Sequence, residues 1–250
     1  MRESLRSGEA VVGTWVSLAD PAVAELLAPD FEFVVLDTEH TPNTLETVAN
    51  CARAVDAAPG DPLPIARVAW NDPVRIKRIL DLGVGGVMVP MVETPDEAEA
   101  AVAACRYPPE GIRGMAAARA HDYGRSFDEY VERANDDVLS ILQVETEEGL
   151  SNVEEIAAVD GVDALFVGPA DLSANLGVLG EWDSDAFVDA VERIVTAAQD
   201  AGTPGGTLGV DVDQLRAFDP FDYDYVIAGV DAAMLLGGAA DVRAAGDEML

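Results

Sequence analysis

Short β-branched runs bounded by turn residues alternate with alanine-rich amphipathic stretches along the whole chain. That alternation predicts parallel βα units. Strands are expected at Val11 to Ser17, Phe33 to Asp37, Pro64 to Val68, Gly86 to Met91, Leu139 to Glu145, Ala164 to Gly168, Pro204 to Val210 and Tyr225 to Ala228. Helix starts fall between them: Pro21 follows Asp20, Asn43 or Thr44 can cap the second helix, Asn71 or Asp72 with Pro73 the third, and Thr94 with Pro95 the fourth. Eight strands in 250 residues is the count and size of a (β/α)8 TIM barrel. No internal repeat, low-complexity tract or linker breaks the pattern, so residues 1–250 read as a single α/β barrel domain. One connection is long, Tyr107 to Ser126, with Pro108, Pro109, Gly111, Gly114 and Gly124; loops of that length are usually functional or mobile.

Composition narrows the function. No apolar run approaches the roughly 20 residues that span a bilayer. The start, Met1 to Arg6, mixes charges and lacks a secretory apolar core. Cys51 and Cys105 are too few for a disulfide framework or a thiolate zinc site, so the chain is expected to be cytoplasmic and reduced. Asp and Glu number 47 against 15 Lys and Arg, a formal charge of −32 on a chain that is 49% apolar. Disorder does not explain that acidity. Such a field repels nucleic acid and anionic membranes. At about 1 M salt the Debye length falls to roughly 3 Å, so the acidity reads as a solubility device for a salt-accumulating, halophilic cytoplasm.

Lys77 is the only lysine. Ile76, Ile79 and Leu80 mark the buried stripe of its helix, which turns Lys77 toward solvent and argues against Schiff-base chemistry or an organic cofactor that needs a lysine.

In a (β/α)8 barrel the reactive face forms where strands end and loops begin. Candidates fall there: Trp15 on the first strand, Asp37-Thr38-Glu39-His40 after the second, Arg67 in the third, Gln143 and Glu145 in the fifth, and Gly168-Pro169-Ala170-Asp171 after the sixth. Gln143 and Glu145 share one strand face at the two-residue period, where bulky apolar residues are the norm. Glu145 and Asp171, on neighbouring strands, can present two oxygens to one hard divalent cation; the plain alternatives are a rim carboxylate and a helix N-cap. The Gly168–Asp171 loop amides also suit a substrate carboxylate. His40, beside Asp37 and Glu39, is a candidate base, whereas His121 in the long loop has no comparable setting. Arg67 is either a structural ion pair with Asp37 or Glu39 or a clamp for a developing oxyanion. Asp81 is unusual in the last turn of a helix, where the macrodipole disfavours an acid; it is either solvated or held for a partner such as His40.

Several strings in register resemble the HpcH/HpaI family of metal-dependent class II pyruvate aldolases. They are Leu36-Asp37-Thr38-Glu39-His40-Thr41-Pro42-Asn43, Arg67 with Trp70-Asn71-Asp72-Pro73, Ile79-Leu80-Asp81-Leu82-Gly83, Val89-Pro90-Met91-Val92, Arg106-Tyr107-Pro108-Pro109 with Arg113-Gly114, Gln143-Val144-Glu145, and Val167-Gly168-Pro169-Ala170-Asp171-Leu172-Ser173. The resemblance runs from about Gly13 to Asp231. It implies a phosphoenolpyruvate/pyruvate-type barrel, assembled as a homo-oligomer (a hexamer built from trimers), that cleaves 4-hydroxy-2-oxo acids to pyruvate or a close relative and an aldehyde. By the same resemblance Glu145 and Asp171 are the metal ligands for Mg2+, Mn2+ or Co2+, His40 is the base, Asp81 the acid that raises its basicity, and Arg67 the transition-state stabiliser. Gln143 and Ala170, the latter through its backbone, match substrate contacts. The loop around Met115 to Gly124 departs from the family pattern and is expected to shape the aldehyde side. The competing readings are a citrate-lyase-like or malyl-CoA-type lyase, which must hold a coenzyme A tail, and a non-catalytic barrel that only binds.

Overall fold

The computed structural model describes Ser4 and residues 9–250; the other residues of the Met1–Arg6 segment lie outside the described residues. The strands are β1 (Val11–Val16), β2 (Phe33–Asp37), β3 (Leu63–Arg67), β4 (Gly86–Val89), β5 (Leu139–Val144), β6 (Ala164–Val167), β7 (Gly205–Gly209) and β8 (Tyr225–Val230). They pair in chain order, all parallel, and β8 closes on β1. All eight expected strands are present, so the (β/α)8 barrel stands. Boundaries move by one or two residues. The fourth strand stops at Val89 because Pro90 has no N–H to give and Met91 turns into the left-handed region at φ 54°.

Helices return the chain outside the barrel: α1 (Pro21–Leu27), α2 (Leu45–Asp56), α3 (Pro73–Leu80), α4 (Pro95–Cys105), α5 (Phe127–Asp137), α6 (Glu147–Ser151), α7 (Val153–Ala157), α8 (Pro169–Asn175), α9 (Asp185–Ala201), α10 (Val212–Phe218) and α11 (Asp231–Glu248). Their starts follow the sequence signals. Asp20, Thr44, Asp72 and Thr94 each accept a hydrogen bond from a backbone N–H of the first turn, with Pro at the helix start in three of the four.

The two-residue period of the strands sorts side chains into two cores. Phe33 and Val35, Ile65, Leu139 and Ile141, Ala164 and Phe166 point inward and fill the barrel. Val34, Leu36, Ala66, Leu142 and Leu165 point outward under the helices. Continuing each inward row by two residues reaches Asp37, Arg67, Gln143 and Gly168. The apolar filling thus gives way to polar groups in the uppermost layer, at the carboxyl ends of the strands.

Two features lie away from that layer. Asp81 caps the C-terminus of α3, and helices run antiparallel to the strands, so Asp81 sits at the opposite end of the barrel. The Tyr107–Ser126 connection packs there too: Arg119 donates to the Leu82 carbonyl at 2.6 Å and pairs with Asp56, and the Ala120 N–H donates to the Asp81 carbonyl. Within one chain this loop is remote from the mouth. His121, expected to be an ordinary loop residue, is fully buried, ringed by Tyr107, Phe127 and Tyr130.

Helix α11 leaves several large apolar side chains in solvent, among them Leu235, Leu236 and Val242, at 65–75% exposure. Cys51 and Cys105 are free and buried. No helix among the described residues is long and apolar enough to cross a membrane.

Candidate active site

A cavity of about 220 Å³ opens at the carboxyl ends of the strands, and its walls carry Trp15, His40, Arg67, Gln143, Glu145 and Asp171. Gly168 and Ala170 line it as well. The residues expected to act as base, oxyanion stabiliser, metal ligands and substrate contacts, Asp81 excepted, therefore line one space, while Asp37 and Glu39 stand behind its wall.

Parallel register explains Arg67. Asp37 on β2 stands opposite Arg67 on β3. The guanidinium forks onto the carboxylate, Nε to Oδ1 at 2.8 Å and Nη2 to Oδ2 at 2.9 Å, and its third nitrogen lies 2.8 Å from Glu39 Oε2. Its face covers the Trp15 ring at 4.5 Å. Burial works against the charge, but the Asp37 and Glu39 carboxylates outweigh it and raise the guanidinium pKa above its usual value. Breaking one side of a buried pair like this costs about 3–5 kcal/mol. The structural ion pair anticipated for Arg67 is thus real, and it fixes a cation at the cavity wall without removing it from the cavity.

The chain after β2 is tied down locally. Thr41 Oγ1 and Asn43 Nδ2 both donate to the Asp37 carbonyl, and Thr38 donates by both N–H and hydroxyl to the Arg67 carbonyl. These bonds hold the short segment that presents His40. The His40 side chain is 70% exposed, and its Nε2 lies 3.7 Å from Glu39 Oε1. Burial raises the Glu39 carboxyl pKa, an effect opposed by Arg67 and His40. Asp81 does not meet His40 within the chain; its carboxylate instead lies 3.4 Å from the guanidinium of the buried Arg113.

Glu145 follows the last residue of β5 and is buried. Oε1 accepts from the Met91 N–H at 2.9 Å and Oε2 from Gln143 Nε2 at 2.7 Å. Desolvation is the main reason that its pKa rises to about 7; the neighbouring charge of Asp171 adds to it, and the two hydrogen bonds oppose it. Gly168 makes room for this carboxylate, since a Cβ there would overlap Oε2. Met91, which the sequence reading gave no role, aims its N–H at Glu145 from a left-handed backbone. A non-glycine residue there costs about 1–3 kcal/mol, and strain of that kind clusters at functional sites.

Asp171 is not the N-cap that its neighbourhood allowed. Gly168 occupies that position, and Asp171 lies in the first turn of α8, its carboxylate accepting no hydrogen bond among the described residues.

The donor set suits a hard divalent cation. Two carboxylates line one cavity, one of them buried with its proton affinity raised by desolvation, and Gln143 Oε1 is buried there without a partner. Among the described residues no third His, Cys, Asp or Glu joins them. Lys77, half-buried on α3, takes no part in the cavity wall.

Known proteins resemble this chain along almost its whole length. The family model described as HpcH/HpaI aldolase/citrate lyase matches residues 12–236. The 4-hydroxy-2-oxo-heptane-1,7-dioate aldolase of Salmonella arizonae is 40% identical over 246 residues, covering 97% of this chain and 92% of that one. A crystal structure of an HpcH/HpaI aldolase/citrate lyase family protein from Burkholderia cenocepacia J2315 superposes with a TM-score of 0.92 at 38% identity, over 99% of this chain and 98% of the other. An HpcH/HpaI aldolase from Desulfitobacterium hafniense DCB-2 gives 0.89 at 25% identity, over 99% and 96%.

Proposed function

The chain belongs to the HpcH/HpaI aldolase/citrate lyase family and is an aldolase; from that premise we propose that it splits a 4-hydroxy-2-oxo acid into pyruvate, or a close 2-oxo acid, and an aldehyde, with one divalent cation. The observation that carries this reading is the small cavity in which Glu145, Asp171, Arg67 and His40 meet. Its size suits a short oxo acid.

Glu145 and Asp171 would hold the cation, Mg2+, Mn2+ or Co2+. When bound, it supplies Lewis-acid polarisation of the 2-oxo group, the electron-sink role that an imine plays elsewhere and that Lys77 is not placed to fill. The chain's own groups do the rest. The Gly168–Asp171 segment and Gln143 flank the space for the substrate's carboxylate and oxo group. His40, at the open rim, takes the proton from the C4 hydroxyl as the C3–C4 bond breaks and the aldehyde leaves. Arg67, fixed by Asp37, directs its remaining N–H groups at the oxygen that gains charge, without having to reorient during the reaction. Trp15 closes the cavity floor beneath Arg67 and keeps water from its underside.

Asp81 belongs to this reading only as an expectation from the family resemblance. The assembly is read as a homo-oligomer, a view supported by the uncovered apolar side chains of α11. The acidity is assigned to a salt-rich cytoplasm.

The test is pyruvate release from 4-hydroxy-2-oxo acids of different length at high salt. Activity lost to a chelator and restored by Mg2+, Mn2+ or Co2+ is the expected result, and turnover indifferent to chelation would overturn the roles of Glu145 and Asp171. Cleavage of a coenzyme A thioester instead would move the chain to the citrate-lyase side of the family.

A further inference from the structure

One polar side chain in the cavity wall has no part in the chemistry above. Gln214, in the first turn of α10, lines the same space as Glu145, Asp171 and Arg67, together with the apolar Leu208 of β7 and Val210 just after it. Asp211 caps the helix and accepts from the Gln214 N–H at 2.9 Å. Gln214 Oε1 accepts in turn from the Val210 N–H at 2.7 Å. Only the oxygen of an amide can take that bond, so it fixes which way the amide is turned. The NH2 group is left over, with no hydrogen bond among the described residues. Capping therefore uses one edge of this side chain and leaves two N–H donors on a residue of the cavity wall.

Charge decides what those donors can meet. Arg67 is the only arginine or lysine in the wall among the described residues, and Asp37 and Glu39 already sit on it. His40 is neutral when it acts as a base. A second carboxylate at the far end of a substrate thus finds no unpaired cation here, and it meets Asp211 beside Gln214. An uncharged oxygen finds the amide. We infer that Gln214 is a specificity-determining residue, whose NH2 group donates to a hydroxyl oxygen on the aldehyde half of the substrate, beyond C4. The inference rests on the reading above and narrows its substrate class to 2-oxo acids hydroxylated along the chain rather than ending in a second carboxylate. Position agrees with it. With the 2-oxo end assigned to Glu145 and Asp171, which follow β5 and β6, Gln214 stands at the outer level of the mouth, in a helix that begins there, where the aldehyde half leaves.

The experiment is addition of pyruvate, with Mn2+ and molar potassium chloride, to glyceraldehyde, propanal and succinic semialdehyde. Gln214→Leu removes the amide. Gln214→Glu keeps an oxygen for the Val210 N–H, and so the cap, but when ionised has no hydrogen to donate. The wild type is expected to favour glyceraldehyde over succinic semialdehyde. Both variants should lose about three- to tenfold in kcat/KM for glyceraldehyde, mainly through KM, which is the worth of one hydrogen bond between uncharged groups, while propanal addition and the exchange of pyruvate C3 protons in deuterated solvent change less than about twofold. Wild-type constants for glyceraldehyde in Gln214→Glu would leave the side chain a cap and overturn the inference. A wild-type preference for succinic semialdehyde would overturn it too, as would an equal loss in pyruvate proton exchange, which would put Gln214 at the 2-oxo end. A wild-type chain that joins pyruvate to none of the aldehydes would instead overturn the pyruvate reading itself.

Discussion

Gly168 and Glu145 compete for one volume: any β-carbon at 168 would overlap Glu145 Oε2, the oxygen that also accepts from Gln143. The backbone at Gly168, φ −83° and ψ 91°, is open to other residues, so the glycine is required by the carboxylate rather than by the turn. Gly168→Ala is therefore expected to fold and to displace Glu145. Divalent-metal affinity, measured by calorimetry with Mn2+, should fall about 10- to 100-fold, in line with losses from disturbed ligand positioning. Wild-type affinity in this variant would separate Glu145 from the metal.

Glu145 also ties metal binding to protons. Its pKa stands at about 7 in the fold against an ordinary 4.5. Between those values the folded chain holds a proton that the unfolded chain has released. Glu145 therefore stabilises the metal-free fold at low pH, and that stability is lost as pH rises through 7; at about 1.36 kcal/mol per pH unit the effect is of order 3 kcal/mol. A cation bound to the carboxylate must displace the proton. Calorimetry in buffers of different ionisation enthalpy should find close to one proton released per ion at pH 6 and almost none at pH 8. Equal release at both would remove Glu145 as the ligand.

Arg67 is held by a fork that lysine cannot reproduce. Arg67→Lys keeps a charge but loses the paired bonds to Asp37, and with them the fixed direction of the groups facing the cavity. Turnover is expected to fall about 10²- to 10⁴-fold, mostly in kcat. A loss below tenfold would return Arg67 to a purely structural role.

The barrel was legible because each strand is a β-branched run with its own turn signals, and because eight of them fit the length. The mouth was legible for a related reason: Asp37, Arg67 and Gln143 interrupt rows that the two-residue period assigns to the apolar interior. What pattern could not reveal was depth along the barrel axis for residues outside the strands. Asp81 and the Tyr107–Ser126 loop look like site residues in sequence, yet a helix C-terminus returns the chain to the far end. Met91 was missed because its part is played by a backbone N–H, which side-chain identity does not reveal; the preceding Pro90, ending the strand early, was the available signal.

The same loop gives a pH prediction away from the chemistry. His121 is buried with its Nε2 2.9 Å from the Tyr107 hydroxyl, and burial, with the nearby Arg113, holds its pKa below the ordinary 6.5. The unfolded chain therefore takes up a proton at a higher pH than the folded one, so His121 favours the fold above 6.5 and that contribution is lost as pH falls. Hydrogen exchange across residues 107–126, once corrected for the intrinsic pH dependence of exchange, should show weaker protection at pH 5.5 than at pH 7.5. His121→Phe should flatten that difference. Protection independent of pH in the wild type would mean that the imidazole is not confined as described.

The acid surplus makes a prediction about the whole fold. With 47 acids against 15 bases, self-repulsion is strongest at low ionic strength, where the Debye length reaches about 10 Å at 0.1 M and many surface carboxylates sense one another. Molar salt confines each charge to its neighbours, leaving the local pairs such as Arg193–Glu154 and the apolar cores in place. The melting temperature should then climb with potassium chloride, by at least about 5 °C between 0.1 M and molar salt, equivalent to roughly 2 kcal/mol for a chain of this length. Sodium sulfate and potassium chloride at matched ionic strength separate screening from salting-out, because sulfate also strengthens apolar burial. A melting temperature that rises in sulfate but is flat in chloride would assign the salt response to the cores and leave the acidic surface without a role in stability.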